Sequence, residues 1–359
     1  MGRADAKVCG LSAVVLAAAV LLSAASAPAA DMVFFDIVWP KHDKESGFLE
    51  WELRAAKAVA HSHNQYECLN LELRAYELVE EAGRKLSKEE VFLRADRGTY
   101  VHSESNPKST LRGNVRTTLR GKDPLEIVTD EATLEAEWDS ARRAQSRIIA
   151  SPKPVSITSQ NRKLTGEGMT IIEQVAVSKL PDGKRARTLT QSRVRLHRNV
   201  VMVLEGGAGP FSAMSETPAP QGDRPAPVTI SCVGEFALDR LQNRAQFREH
   251  VVLSQRDVRL NSDVLTLEFS GEMTQLGTGA KLRQLLAERK VTIDGGGQRF
   301  AGRRFEWSPT TAKGVLAGSP ATMKSATIWV KAERIEFDQK AQRIRYTGMA
   351  EAEITTKAE

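Results

Sequence analysis

Apolar residues recur at every second position over most of the chain, and this alternation is what most constrains the fold. CLNLELRAYEL (Cys68 to Leu78), VTIDG, VVLSQ, VLTLEF and ATIWV all show it. A period of two is the signature of a strand with one face on a core and one in water. PDG, RGK, GGG and SPTT supply turns at short intervals. Helical spacing is confined to the N-terminal leader, to Trp51 to Ala60 and to part of KLRQLLAERK (Lys281 to Lys290). The chain reads as all-β.

The alternation is itself repeated. Three stretches superpose without a gap: Val155, Ile157, Leu164, Gly166, Met169, Ile171; Val251, Leu253, Leu260, Ser262, Leu265, Leu267; and Val291, Ile293, Phe300, Gly302, Phe305, Trp307. Each runs apolar-x-apolar, six residues, apolar-x-small, two residues, apolar-x-apolar. The last two begin about 40 residues apart, a spacing that suits a repeat of several short strands. The small residue marks where the backbone bends and a side chain would crowd it. One such unit cannot bury its apolar face alone, so successive units stack around a common interior. The expected architecture is an elongated, folded-over, twisted β-jellyroll of two lobes.

A segment of different composition divides the chain. GGAGPFSAMSETPAPQGDRPAP, residues 206–227, is rich in Gly, Pro, Ser and Ala and reads as a linker. It leaves lobes at 31–205 and 228–359. Residues 1–30 carry Arg3 and Lys7, an apolar run from Leu11 to Leu22, and small residues ending at Ala27 and Ala29. That is the pattern of a secretory signal peptide and predicts a periplasmic protein. An uncleaved signal would instead leave an inner-membrane anchor.

The 359-residue chain has a formal charge of +6, about +5 without the leader, a modest excess that fits an acidic partner. Export and evenly mixed charges disfavour nucleic acid. Beyond the leader only Cys68 and Cys232 remain. An exported protein permits a bridge between them, yet they fall in different lobes, and a cysteine-stapled fold is excluded.

No catalytic signature stands out. Gly295 to Gly297 are followed by QRFAGRRFEW, with no Lys-Ser/Thr pair and no helical pattern, as a phosphate loop requires. SQRDVR (Ser254 to Arg259) and TSQNRK (Thr158 to Lys163) fill the same slot without glycine, so it is a tolerant turn. His61 and His63 share a strand face but lack a third metal ligand. No serine or cysteine sits in a nucleophile context, and no carboxylate pair is marked out for glycoside hydrolysis. The expectation is a non-enzyme with no cofactor and no metal. The inward residues Leu260, Leu265, Leu267, Val291, Ile293, Phe300, Phe305 and Trp307 are core by default. An interior slot between stacked units could instead hold acyl chains, at about 0.8 kcal/mol per buried methylene.

These residues resemble the OstA-like periplasmic proteins of lipopolysaccharide export. LRADRGTYVHSESNPKSTLRGNVRTTL, with Ala95, Gly98, Tyr100, Gly113 and Val115, carries the likeness, as do LTGEGMTII and KVTIDGGGQRFAGRRFEWSPTTAKGVLAGSPA. Phe48 to Leu78 is similar to the start of the LptC type. The C-terminal lobe, ending ATIWVKAERIEFDQKAQRIRYTG, is more like the LptA type. The resemblance implies a β-jellyroll that holds the acyl chains of lipopolysaccharide, or of a similar acylated glycolipid, in its interior. It also implies end-to-end joining to other Lpt-type envelope proteins through edge strands. Leu69, Leu71 and Leu73, and at the other end Ile344 and Tyr346, are the expected partner contacts. The resemblance leaves two rivals standing: an envelope scaffold with a fully packed interior, and a carbohydrate-active β-solenoid enzyme.

Overall fold

The computed structural model describes residues 32–42, 49–62, 64–81, 84–101, 108–120, 124–139, 144–160, 162–179, 185–205, 226–271, 281–338, 340–341, 343–348 and 350–354. The expected signal peptide lies outside the described residues, as does the linker as far as residue 225. Every regular element among the described residues is a strand. None of them forms a helix long and apolar enough to cross a membrane.

The described residues through Gln160, together with Glu167–Val194, make one compact unit; those of Asn161–Gly166 and Arg195–Glu359 make a second. The first unit holds β1 (Met32–His42), β2 (Leu49–Ser62), β3 (Gln65–Glu81), β4 (Arg84–Val101), β5 (Lys108–Leu119), β6 (Leu125–Asp139) and β7 (Ala144–Ser159). Strands β8 (Arg162–Lys179) and β9 (Arg185–Leu204) are divided between the units. The second unit continues with β10 (Val228–Cys232), β11 (Phe236–Asp239), β12 (Arg244–Gln255), β13 (Val258–Ser270) and β14 (Lys281–Gly295). It ends with β15 (Gln298–Ser308), β16 (Lys313–Lys324), β17 (Ile328–Asp338), β18 (Arg343–Thr347) and β19 (Glu351–Ile354).

From β1 to β7, and again from β12 to β18, each strand pairs antiparallel with the next in sequence. Tight turns make this meander possible. The three glycines are one of them: Gly295 pairs with Gln298, and Gly296 and Gly297 both take positive φ, 55° and 65°. This is the backbone of a two-residue hairpin turn whose twist matches the flanking strands. Arg256 and Asp257 span the equivalent turn between Gln255 and Val258.

Each unit folds over because its strands are bent at a shared line. Register slips between Arg248 and Val251, Asn261 and Val264, Glu288 and Val291, and Ala301 and Arg304 on successive strand pairs of the second unit. In the first unit it slips between Arg94 and Arg97, Arg112 and Val115, and Thr129 and Thr133. Bulges of this kind bend a strand and re-aim its side chains. On β15 the buried positions pass from Phe300 to Phe305 and Trp307, so the inward parity changes from even to odd at the bend. The "x-small, two residues" part of the sequence repeat is this corner. The all-β, folded-over jellyroll architecture expected of the chain is what each unit adopts.

The helical spacing over Trp51 to Ala60 and Lys281 to Lys290 is corrected by the structure. Both stretches are strand, in β2 and β14. In β2 the buried residues step from Ala55 to Ala58 at the corner, and this three-residue step imitates one turn of helix. Pairing on both flanks fixes β14 as extended chain.

Candidate functional site: the apolar interior and the sheet edges

Residues that alternate along each strand fall into register across strands. In the second unit Leu253, Leu260, Ile293, Phe300, Met323 and Val330 are consecutive cross-strand partners from β12 to β17. Beyond the bend a second ladder runs through Phe247, Leu265, Ala287, Phe305, Leu316 and Ile335. A third connects Leu267, Leu285, Trp307, Gly314 and Phe337. The first ladder faces the other two across the interior. Phe300 meets Phe337 edge-on with ring centroids 5.1 Å apart, and Phe305 meets the same ring at 6.0 Å. Edge-to-face pairs of this kind add about 0.5–1.5 kcal/mol beyond their burial.

Seven of the eight interior residues expected from the sequence stand in these ladders, and Val291, opposite Gly302, is buried at the bend beside them. Their exposure runs from 0% at Leu260, Leu265, Val291 and Ile293 to 4% at Trp307. Sequence reading missed Phe247, Leu285, Leu316, Ile335 and Phe337, although the same parity through β16 and β17 marks the last three. One buried polar atom is orphaned here: Trp307 Nε1 has no hydrogen-bond partner among the described residues. A buried N–H without an acceptor costs about 1–3 kcal/mol.

The first unit is built on the same plan. Leu53, Leu73, Leu93, Thr117, Ile127 and Ile157 form its equivalent ladder. Between this wall and the residues beyond the bend lie two small cavities, of about 30 Å3 and about 50 Å3. Leu93, Leu111 and Leu134 line both, and Cys68 lines the larger. Thr129 Oγ1 lies 2.8 Å from Ser151 Oγ in a buried pair, so that polar side chain is internally satisfied.

The edge assignment needs one correction. Leu69, Leu71 and Leu73 lie on β3, which pairs with β2 on one flank and β4 on the other. Its backbone groups are used, and it offers no edge. Among the described residues the register pairs β1 with β2 and leaves it as the outer strand of the first unit. Its side chains are unusually apolar for an edge, with Phe35 69% and Val38 56% exposed. Ile344 and Tyr346 do lie on an outer strand: β18 and β19 together flank the last side of β17. There Ile344 continues the Phe337 ladder and Tyr346 the Ile335 ladder.

The remaining candidates stay apart. Cys68 and Cys232 are free thiols in different units, and burial pushes each up to about 11. His61 Nε2 stands 3.4 Å from Glu67 Oε2, while His63 lies outside the described residues. Among the described residues no group of three or more His, Cys, Asp or Glu side chains is placed to hold a metal ion.

No family model matches the chain. No curated protein matches it either. Among solved structures, one similar chain is LptH of Pseudomonas aeruginosa, described as the LptA-homologous periplasmic component of the lipopolysaccharide transport device. It is 15% identical, with a TM-score of 0.30, over 36% of this chain and 96% of that one. A likeness at that score carries no argument about what this chain does.

Proposed function

We propose that this protein is a periplasmic carrier or bridge for an acylated glycolipid, of the kind that serves lipopolysaccharide export. In this reading acyl chains enter between the two walls of a folded-over sheet, and neighbouring proteins pair with the free edges. The observation that carries it is the set of apolar ladders that faces itself across each bend. The resemblance of LRADRGTYVHSESNPKSTLRGNVRTTL and of KVTIDGGGQRFAGRRFEW to OstA-like repeats points the same way. So does the orphaned Trp307 N–H, which an ester or amide carbonyl of an acyl chain would satisfy. The same reading takes the first lobe as LptC-like and the second as LptA-like, joined by the 206–227 linker. Chemistry and energy would be supplied elsewhere, and the chain would act by binding alone.

The cavities of the first unit, of about 30 Å3 and about 50 Å3, are too small for an acyl chain. Loading must therefore open the walls, and the first unit, with space already between them, is where opening costs least. Exposed apolar side chains on β1 supply a docking edge of the sort that natural sheets otherwise protect.

One observation favours a second reading, an envelope scaffold with a solid interior: the second unit buries its ladder side chains to between 0% and 7% exposure. Photocrosslinking separates the two. A photoreactive residue at Leu93 or Leu111, and a second at Leu265 or Phe305, is carried by the protein in living cells. Glycolipid adducts from the interior support the carrier. Adducts from none of these positions, with the protein folded, leave the scaffold.

A further inference from the structure

A charged groove of about 890 Å3 lies on the outside of the second unit, along the bend of β12 to β15. It is separate from the interior ladders. Arg248, Arg289, Lys290, Arg303 and Arg304 line it, and so do Glu249, Asp263 and Glu288. Five fixed positive charges against three negative leave the groove basic.

The charges are also sorted. Glu249 and His250 bulge on β12 opposite Asp263 on β13, whereas Arg289 and Lys290 bulge on β14 opposite Arg303 on β15. The two bulges sit on neighbouring strand pairs, and Asp263 on β13 reaches Lys290 on the adjacent β14. Some of the cations are already engaged: Lys290 with Asp263 at 3.3 Å, Arg304 with Glu306, and Arg248 with Gln246 Oε1 at 2.7 Å. Arg289 and Arg303 have no hydrogen-bond or ion-pair partner among the described residues, and they are neighbours on adjacent strands.

The backbone supplies an independent observation. Glu249, His250, Arg289 and Lys290 take φ of 66°, 51°, 66° and 50°. Long charged side chains seldom occupy this left-handed region, which suits Gly, Asn and Asp. In the first unit positive φ falls on Asp36, Asn70, Gly113, Asn114 and Gly168, at 49°, 49°, 73°, 48° and 70°. On β5 Asn114 Nδ2 donates to Asp96 Oδ2 at 2.7 Å and closes the corner on itself. At β14 this position is held by two outward cations, Arg289 and Lys290, where β5 of the first unit uses Gly113 and Asn114. Strain kept where an easier residue would serve marks a position held for its side chain.

We propose that this groove is a binding site for a phosphate-bearing sugar, with Arg289 and Arg303 as the fork that grips the phosphate. Two guanidinium groups on adjacent strands match the oxygens of one phosphomonoester, which arginine binds through paired N–H groups. Asp263, Glu288 and Gln246 supply acceptors around it for sugar hydroxyls. The proposal does not depend on acyl chains in the interior, and an acyl-free probe tests it separately.

The experiment is calorimetric titration of the full chain with glucose 1,6-bisphosphate at low salt, beside an uncharged disaccharide. Binding of the bisphosphate alone, weakening as salt rises, is expected. Arg303→Glu should reduce affinity at least tenfold. Arg289→Asn should reduce it too while leaving the melting temperature unchanged or higher, because Asn accepts the left-handed backbone. A fold defect would lower both together. Phosphatidylcholine vesicles doped with phosphatidic acid form the second arm: binding to them that depends on the same arginines assigns the phosphate to a lipid headgroup. No binding in either arm, equal binding of the uncharged sugar, or affinity undiminished in both variants overturns the proposal.

Discussion

Gly302 and Leu316 are packed so closely that a Cβ on Gly302 would stand 2.8 Å from Leu316 Cδ1 and 2.9 Å from Ala317 O. Gly302 is the small residue of the sequence repeat, and Leu316 is a fully buried member of the ladder beside it. A methyl group there must displace both a core side chain and a strand carbonyl. Gly302→Ala is therefore expected to destabilise the protein by about 1–3 kcal/mol, by overpacking. Urea unfolding checks this: a midpoint equal to wild type would show that the bend has room to spare.

Trp307 gives a prediction of opposite sign. Its ring fills the third ladder, but its N–H lies buried without an acceptor. Trp307→Phe keeps most of the apolar burial and removes the orphaned donor, so stability of the lipid-free protein should hold or rise by up to about 1 kcal/mol. Trp307→Ala leaves a cavity and should cost about 3–5 kcal/mol. If Phe is as damaging as Ala, the indole N–H has a partner.

The two cysteines and Tyr100 set the response to alkali. Burial pushes the Cys68 and Cys232 thiols up to about 11 and the Tyr100 hydroxyl up to about 12. In an unfolded chain these groups titrate near about 8.5 and about 10. Above those values the unfolded state loses protons that the native state keeps, so stability is level below about pH 8.5 and falls as pH rises through 11 to 12. Replacing both cysteines by Ala should delay the onset of that fall to about pH 10. Thiol alkylation at pH 8 should be slow in the folded protein and fast in urea.

The β1 edge can be tested without disturbing a core. Phe35 is 69% exposed, with Lys57 Nζ 6.0 Å from its ring centroid. Phe35→Lys should leave the melting temperature within about 1 °C, since surface changes cost at most about 0.5 kcal/mol. It should also weaken self-association or partner capture, read by sedimentation and by crosslinking from Val38. Unchanged association would show that β1 is not a docking edge.

The alternation through Val291, Ile293, Phe300, Phe305 and Trp307 was enough to specify strands, their inward face and even the corner, because a period of two can bury only one face. The same pattern could not say which strands would be outermost. Leu71 is as apolar as any edge residue, yet β3 is paired on both sides, because pairing is decided by neighbours distant in the chain. Nor could it separate a bend from a turn of helix in Trp51 to Ala60, since a three-residue corner step and a helical i, i+3 step are identical in sequence. In sequence Arg289 and Arg303 lie 14 positions apart, on either side of the Gly295 to Gly297 turn. The bulges place them side by side on adjacent strands and hold Arg289 in a left-handed backbone, a juxtaposition that the linear pattern does not contain. Local chemistry determined each strand; register between strands, a property of the whole sheet, decided what those strands bring together.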